Sequence, residues 1–173
     1  MPRSAHDVRR LVRGLMLFFV CGLVLSGVTA FPLLRELDLL AALVGPVTGN
    51  GHGLAWWIHH VHQALSEQHR LHPFLAYGTD WLAFGHLVIA LFFIGPYRDP
   101  VRNAWVIDIG LIACAGVIPL ALICGAIREI PFYWRLIDCS FGVFGSLPLW
   151  WARRLIGDLK RAERPGTDQL LGV

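Results

Sequence analysis

Charge is scarce in this chain. Only 16% of its 173 residues are Asp, Glu, Lys or Arg, against about 25% in a soluble domain. Hydrophobic residues make up 55%, and the mean hydropathy is +0.56. That balance excludes an ordinary water-soluble globule. Cysteine is equally uninformative as a reactive group. Cys21, Cys114, Cys124 and Cys139 lie inside apolar runs, with no CxxC pair and no zinc-ligand spacing, so they read as small hydrophobes. The chain has no GxSxG elbow, P-loop, GxGxxG or His-Glu-x-x-His, and no Ser/His/Asp order. Enzymatic activity therefore has no positive support. Internal repeats and low-complexity tracts are absent too. The net charge of +3 comes with no nucleic-acid-binding motif, so no nucleic-acid partner is expected.

What is present is four long apolar runs: Leu11 to Leu34, Leu75 to Tyr97, Asn103 to Ile127 and Phe132 to Trp151. The second has no Lys or Arg, and at about 1.5 Å per residue it reaches roughly 34 Å, enough for a hydrocarbon core of ~30 Å. The expectation is an all-α, four-helix integral membrane bundle forming a single domain over 1–173. Basic residues then set its orientation. Arg3, Arg9, Arg10 and Arg13 precede the first run, and Arg98 and Arg102 separate the second from the third. Arg153, Arg154, Lys160, Arg161 and Arg164 follow the fourth. Arg35, Arg70, Arg128 and Arg135 are left for the other side. The positive-inside rule predicts both termini in the cytoplasm and a multi-pass protein. The Arg-rich start followed by Val28-Thr29-Ala30 has the outline of a cleaved signal. Its apolar run continues to Leu34, which favours a retained anchor.

The segment 35–72 is too polar to span. Arg35 to Val44 predicts a short interfacial helix ended by Gly45-Pro46, and the Gly-rich stretch Thr48 to Gly53 predicts a turn. Leu54 to Arg70 carries an apolar stripe of Leu54, Trp57, Ile58, Val61 and Leu65, the pattern of an amphipathic helix on the outer (periplasmic) face. Elsewhere, Gly22-x-x-x-Ser26 and Ser26-x-x-x-Ala30 suit close helix approach, as do Gly142, Gly145 and Ser146. Asp99 with Pro100 predicts a helix start, and Pro119 a kink. Asp108 is expected to pair with Arg98 or Arg102. The segment 153–173 reads as a cytoplasmic tail, basic and amphipathic at first and frayed after Pro165-Gly166.

Ionisable groups inside apolar runs are costly and face partners or water. Asp80 and Asp138 fall at similar depth, roughly 8–9 Å inside the outer boundary by helical rise, with Arg135 one turn from Asp138. Together with His86 they form the candidate intramembrane polar cluster. An ion-paired clamp that fixes helix register is the first reading. The alternative is a proton or ion pathway through Asp80, His86 and Asp138. His86, near mid-membrane, is expected to hydrogen-bond a neighbouring helix. Haem b would need a second axial ligand, and the other runs contain no histidine. On the outer helix, His59 and His62 at i, i+3 are candidate ligands for a divalent metal, with His69 or His72 as a third. A polar face of histidines that meets water and head groups needs no metal. No cofactor is expected.

The run from Tyr77 to Leu149, containing YGTDWLAFGHLVIALFFIGPYRDPVRNAWVIDIG and IPLALICGAIREIPFYWRLIDCSFGVFGSLPL, resembles a family of small bacterial four-span membrane proteins with no assigned activity. The resemblance implies a bacterial inner (plasma) membrane location and brings no ligand with it. The functional expectation is a non-enzymatic structural or accessory component, with the lipid bilayer and a membrane-protein partner or second copy as its partners. The alternatives are the ion pathway and a haem- or metal-binding membrane redox protein.

Overall fold

The computed structural model describes residues 5–47 and 52–162, and every regular element among them is helical. In chain order these are α1 (Ala5–Ala30), α2 (Leu33–Val44), α3 (Leu54–Leu71), a 3₁₀ turn (Pro73–Ala76), α4 (Tyr77–Phe92) and α5 (Ile94–Arg98). There follow α6 (Ala104–Pro119), a π-helical turn (Leu120–Cys124), α7 (Gly125–Ile127) and α8 (Phe132–Ala162). Residues 48–51 of the Gly-rich stretch and the segment from 163, with Arg164 and Pro165-Gly166, lie outside the described residues.

Three stretches are long and apolar enough to cross a membrane: Ala5–Ala30, Pro73–Arg98 and Ala104–Ile127. The helix α8 is longer, at 31 residues, and is not among them. Arg135 and Asp138 interrupt its first half, and its second half is rich in charge. The segments expected as helices from Arg35 and from Leu54 are helical, as α2 and α3.

The chain divides into two compact units, one of residues 1–21 and 91–173, the other of residues 22–90. In the first, Val12, Met16, Ile107, Leu149 and Ile156 are fully buried, as are Pro96 and Pro100. The stripe Leu149, Ala152, Leu155, Ile156 and Leu159 is buried along α8 at helical spacing. Residues 153–162, read as the amphipathic start of the tail, are helical and continue α8, with Leu155, Ile156 and Leu159 buried. Their apolar stripe keeps the helix period across Arg153 and Arg154, and α8 packs along α6.

The helices α6 and α8 approach closely because glycine removes the side chain at the contact. A Cβ on Gly142 would stand 2.5 Å from the Cys114 carbonyl oxygen, and one on Gly145 would stand 3.2 Å from Cys114 Sγ. Gly110 leaves room for the Phe93 ring and Leu149 in the same way, at 2.8 and 2.9 Å. Arg153 Nε donates to Asp108 Oδ1 at 2.6 Å. Arg153 replaces the expected partners Arg98 and Arg102, because α8 is the helix that lies beside α6. Arg98 contributes its carbonyl, which accepts from Arg13 Nη2 at 3.4 Å.

The connection from α5 to α6 is built by its side chains. Asp99 Oδ1 accepts from the Arg102 backbone N–H at 3.1 Å, so it closes a turn rather than capping a helix as expected. Asn103 Nδ2 donates to the carbonyls of Gly95 and Asp99, at 3.2 and 2.9 Å, satisfying the end of α5. Pro119 lacks the N–H that an α-helix would use, and the helix widens immediately after it into the π turn. The expected kink takes that form. After α7, the Ile130 N–H donates to the Gly125 carbonyl at 2.9 Å and the Glu129 N–H to the Ala126 carbonyl at 3.1 Å. This is the Schellman pattern, with Glu129 at φ 58° where glycine is the usual residue.

Two outcomes follow from these contacts. Left-handed backbone at an L-residue costs about 1–2 kcal/mol, partly offset by glycine's greater freedom when unfolded. Glu129→Gly should therefore raise stability by about 1 kcal/mol in denaturant titrations of the detergent-solubilised protein, and a loss of stability would refute the turn geometry. A double-mutant cycle of Asp108→Asn with Arg153→Gln should return a coupling near the upper end of partly exposed pairs, about 1 kcal/mol. Strict additivity would mean that the pair contributes nothing.

Candidate functional site

In the second unit, α1 and α4 meet through Gly27. A Cβ there would stand 2.9 Å from the Ala83 carbonyl oxygen and 3.1 Å from both His86 Cβ and Leu87 Cδ2. Ala83 is fully buried. The small residues expected at this contact were Gly22 and Ser26. A Cβ on Gly22 would meet nothing within 4 Å, and Ser26 is exposed. Helix rotation decides between adjacent small residues, and spacing alone does not reveal it. His86 Nδ1 donates to the Leu82 carbonyl at 2.8 Å. The expected bond to a neighbouring helix is thus replaced by one within α4. Because the acceptor is a carbonyl, Nδ1 carries the proton and Nε2 of the neutral ring keeps its lone pair.

Helix α1 stops before Phe31-Pro32, and the Pro32 carbonyl accepts the Glu36 N–H at 3.1 Å to begin α2. At the other side, His72 ends α3 and the Pro73 turn leads into α4. These two corners and the second half of α3 surround an open cleft of about 520 Å³. Its apolar lining is Phe31, Pro32, Leu33, Leu34, Leu65 and Ala76, and its polar lining is Arg35, Gln68, His69, Thr79 and Asp80. Among the described residues, Arg35, His69 and Asp80 have no hydrogen-bond or ion-pair partner. This is where Asp80 lies in its own unit. Arg35 drew no attention as a site residue in the sequence; it lies in the first turn of α2 and lines the cleft with Asp80.

The histidines of α3 separate. His59 Nε2 donates to the Gly45 carbonyl at 2.9 Å, and His62 Nε2 donates to Asp38 Oδ1 at 2.6 Å. Both bonds tie α3 to α2, whose Leu37 is buried, as is Ile58 on α3. His60 stacks on Trp56 with centroids 5.0 Å apart, and His72 meets the Phe74 ring edge-on. His69 lines the cleft. Thus the candidate ligands His59, His62, His69 and His72 are not brought together, and no group of three His, Cys, Asp or Glu suited to a metal occurs among the described residues. Their surroundings differ: His59 and His62 bond Gly45 and Asp38 at α2, His69 lines the cleft, and His72 packs on Phe74.

Of the polar cluster, Arg135 and Asp138 belong to the first unit. Arg135 Nη1 donates to the Leu122 carbonyl in the π turn at 3.4 Å. Its Cζ is 5.3 Å from the Phe132 ring centroid. The side chain crosses Gly125 so closely that a Cβ there would stand 2.6 Å from Arg135 Cδ. Asp138, one turn further along α8, forms no ion pair with Arg135. The widened turn after Pro119 supplies the carbonyl that Arg135 uses, and a guanidinium bonded to a carbonyl holds helix ends together without a carboxylate.

The α2–α3 bonds can be tested directly. Asp38 is 65% exposed and His62 is 29% exposed by side chain, so the pair belongs to the weak class of about 0.2–1 kcal/mol. His62→Ala should speed amide exchange in α2 and the first turns of α3 by a few-fold while leaving α6 and α8 unchanged. Unaltered exchange would show that the bond contributes nothing.

No protein-family model, no curated protein and no solved structure matches this chain.

Proposed function

We propose that the chain is a four-span integral membrane protein of the bacterial plasma membrane, with α8 as the fourth span, both termini in the cytoplasm and α3 on the periplasmic face. Its role is that of a non-enzymatic accessory component that packs against another membrane protein or a second copy. The carrying observation is how the spanning-length helices present their side chains. Phe18 is 71% exposed, Ile112 67% and Leu91 63%, while no polar or charged residue is buried among the described residues. Large apolar side chains turned outward, with no polar interior, are solvated by lipid at little cost and by water at about 25 cal/mol per Å². The first half of α8 continues the pattern, with Phe141 70% and Phe144 68% exposed.

The accessory role is supported by how the ionisable side chains are used. Asp108 with Arg153, Arg135 with the Leu122 carbonyl, and His59 and His62 with α2 all tie one helix to another. The orientation rests on the positive-inside distribution of the sequence. Reporter fusions after Val173 and at Gly51 should read cytoplasm and periplasm respectively. If both reported the same compartment, the four-span reading would be wrong.

A further inference from the structure

The cleft of the second unit holds two opposite charges, Arg35 and Asp80, and neither has a partner among the described residues. Both sit over an apolar lining. A group that satisfies this arrangement must carry an anion for Arg35, a cation for Asp80 and a hydrocarbon portion for Phe31, Leu34 and Leu65. We infer that the cleft binds a phospholipid with a phosphoethanolamine head group, its phosphate at Arg35 and its primary ammonium at Asp80.

The volume, about 520 Å³, falls within the roughly 300–1,000 Å³ of small-molecule sites. Position also favours a lipid; this step rests on the membrane-spanning reading above. The stretch Pro73–Arg98 has 26 residues, so at about 1.5 Å each it is ~39 Å long and overshoots a ~30 Å hydrocarbon core by ~9 Å. The Pro73–Ala76 turn then lies among the head groups, and the first turn of α4, with Asp80, lies just beneath them, where head group and acyl chains meet. The other wall is the Phe31-Pro32 corner, where α1 stops. A guanidinium pairs well with phosphate oxygens, and His69, in the same lining, has a ring N–H to donate. Asp80 accepts hydrogen bonds from a primary ammonium, which has N–H donors. A choline head group has none, so the carboxylate discriminates between the two zwitterionic classes. A glycerol head group leaves Asp80 without a counter-charge.

The test uses the full chain purified in detergent and incubated with an equimolar mixture of dioleoyl phosphatidylethanolamine, phosphatidylcholine and phosphatidylglycerol. Lipid retained through size exclusion is then counted by mass spectrometry. Wild type should retain the ethanolamine lipid about tenfold over the choline lipid, as expected for one charge-assisted hydrogen bond. Asp80→Asn should bring that ratio below about twofold, and Arg35→Gln should reduce retention of both zwitterionic lipids. Equal retention of ethanolamine and choline lipids by wild type would overturn the assignment, as would preferential retention of the glycerol lipid. That comparison needs no variant to fold. Unchanged selectivity in Asp80→Asn would also overturn it. Displacement of the lipid by an equal concentration of soluble phosphoethanolamine would overturn the choice of a lipid over a free metabolite. Flotation of the reconstituted protein with vesicles reads the membrane assignment separately, so failure of one is distinguishable from failure of the other.

Discussion

The contact between α6 and α8 is the interaction on which the first unit depends. It requires a backbone-to-backbone approach that only glycine allows: Gly142 faces the Cys114 carbonyl, and Gly145 faces the Cys114 sulfur. Two helices at that separation gain dispersion contacts along their length, and other features take their place from it. Asp108 and Arg153 are brought within hydrogen-bonding distance. Gly110 admits the Phe93 ring and Leu149 together. The second half of α8, although charged on its outer face, buries Leu155, Ile156 and Leu159. Enlarging Gly142 would separate the backbones and weaken all of these at once.

Polar groups are few and largely engaged in satisfying backbone. Asn103 closes the end of α5, Arg135 reaches a carbonyl of the π turn, and His86 bonds the carbonyl one turn before it. In a medium without water an unpaired carbonyl or amide costs several kcal/mol, so a side chain that supplies the missing bond is worth its own desolvation. The Pro119 turn illustrates the dependence. The proline removes an N–H, the helix widens, and Arg135 on the next helix meets one of the carbonyls. In the cleft, Arg35 and Asp80 have no such use among the described residues.

Much of the architecture was legible in the chain itself. Apolar runs of spanning length, the amphipathic stripe from Leu54 and the turn residues near Gly45 and Pro131 made helices where helices were expected, since hydrophobic periodicity and helix breakers act locally. Beyond Arg153 and Arg154, where an amphipathic tail was expected to start, the stripe Leu149, Ala152, Ile156 and Leu159 continues without a break in one helix. The left-handed backbone of Glu129 carried no mark in the sequence, because glycine is the usual residue at that position. Among neighbouring small residues, Gly27 and not Gly22 or Ser26 received α4.

Sequence by itself determined that this protein is helical, that it holds long apolar runs, and which residues are charged within or beside them; the helix bounds single out three stretches with the length and apolarity to cross a membrane. Those properties follow from backbone hydrogen bonding and from the transfer energy of side chains, both of which act residue by residue. Tertiary structure alone decided the partners. It gave Asp108 to Arg153, His62 to Asp38 and Arg135 to a carbonyl, separated the histidines of α3, and set Arg35 and Asp80 around one cleft. The reason is geometric. A pairing depends on how each helix is rotated about its axis and where its neighbour stops, and that rotation is settled by the packing of whole faces rather than by the spacing of any two residues.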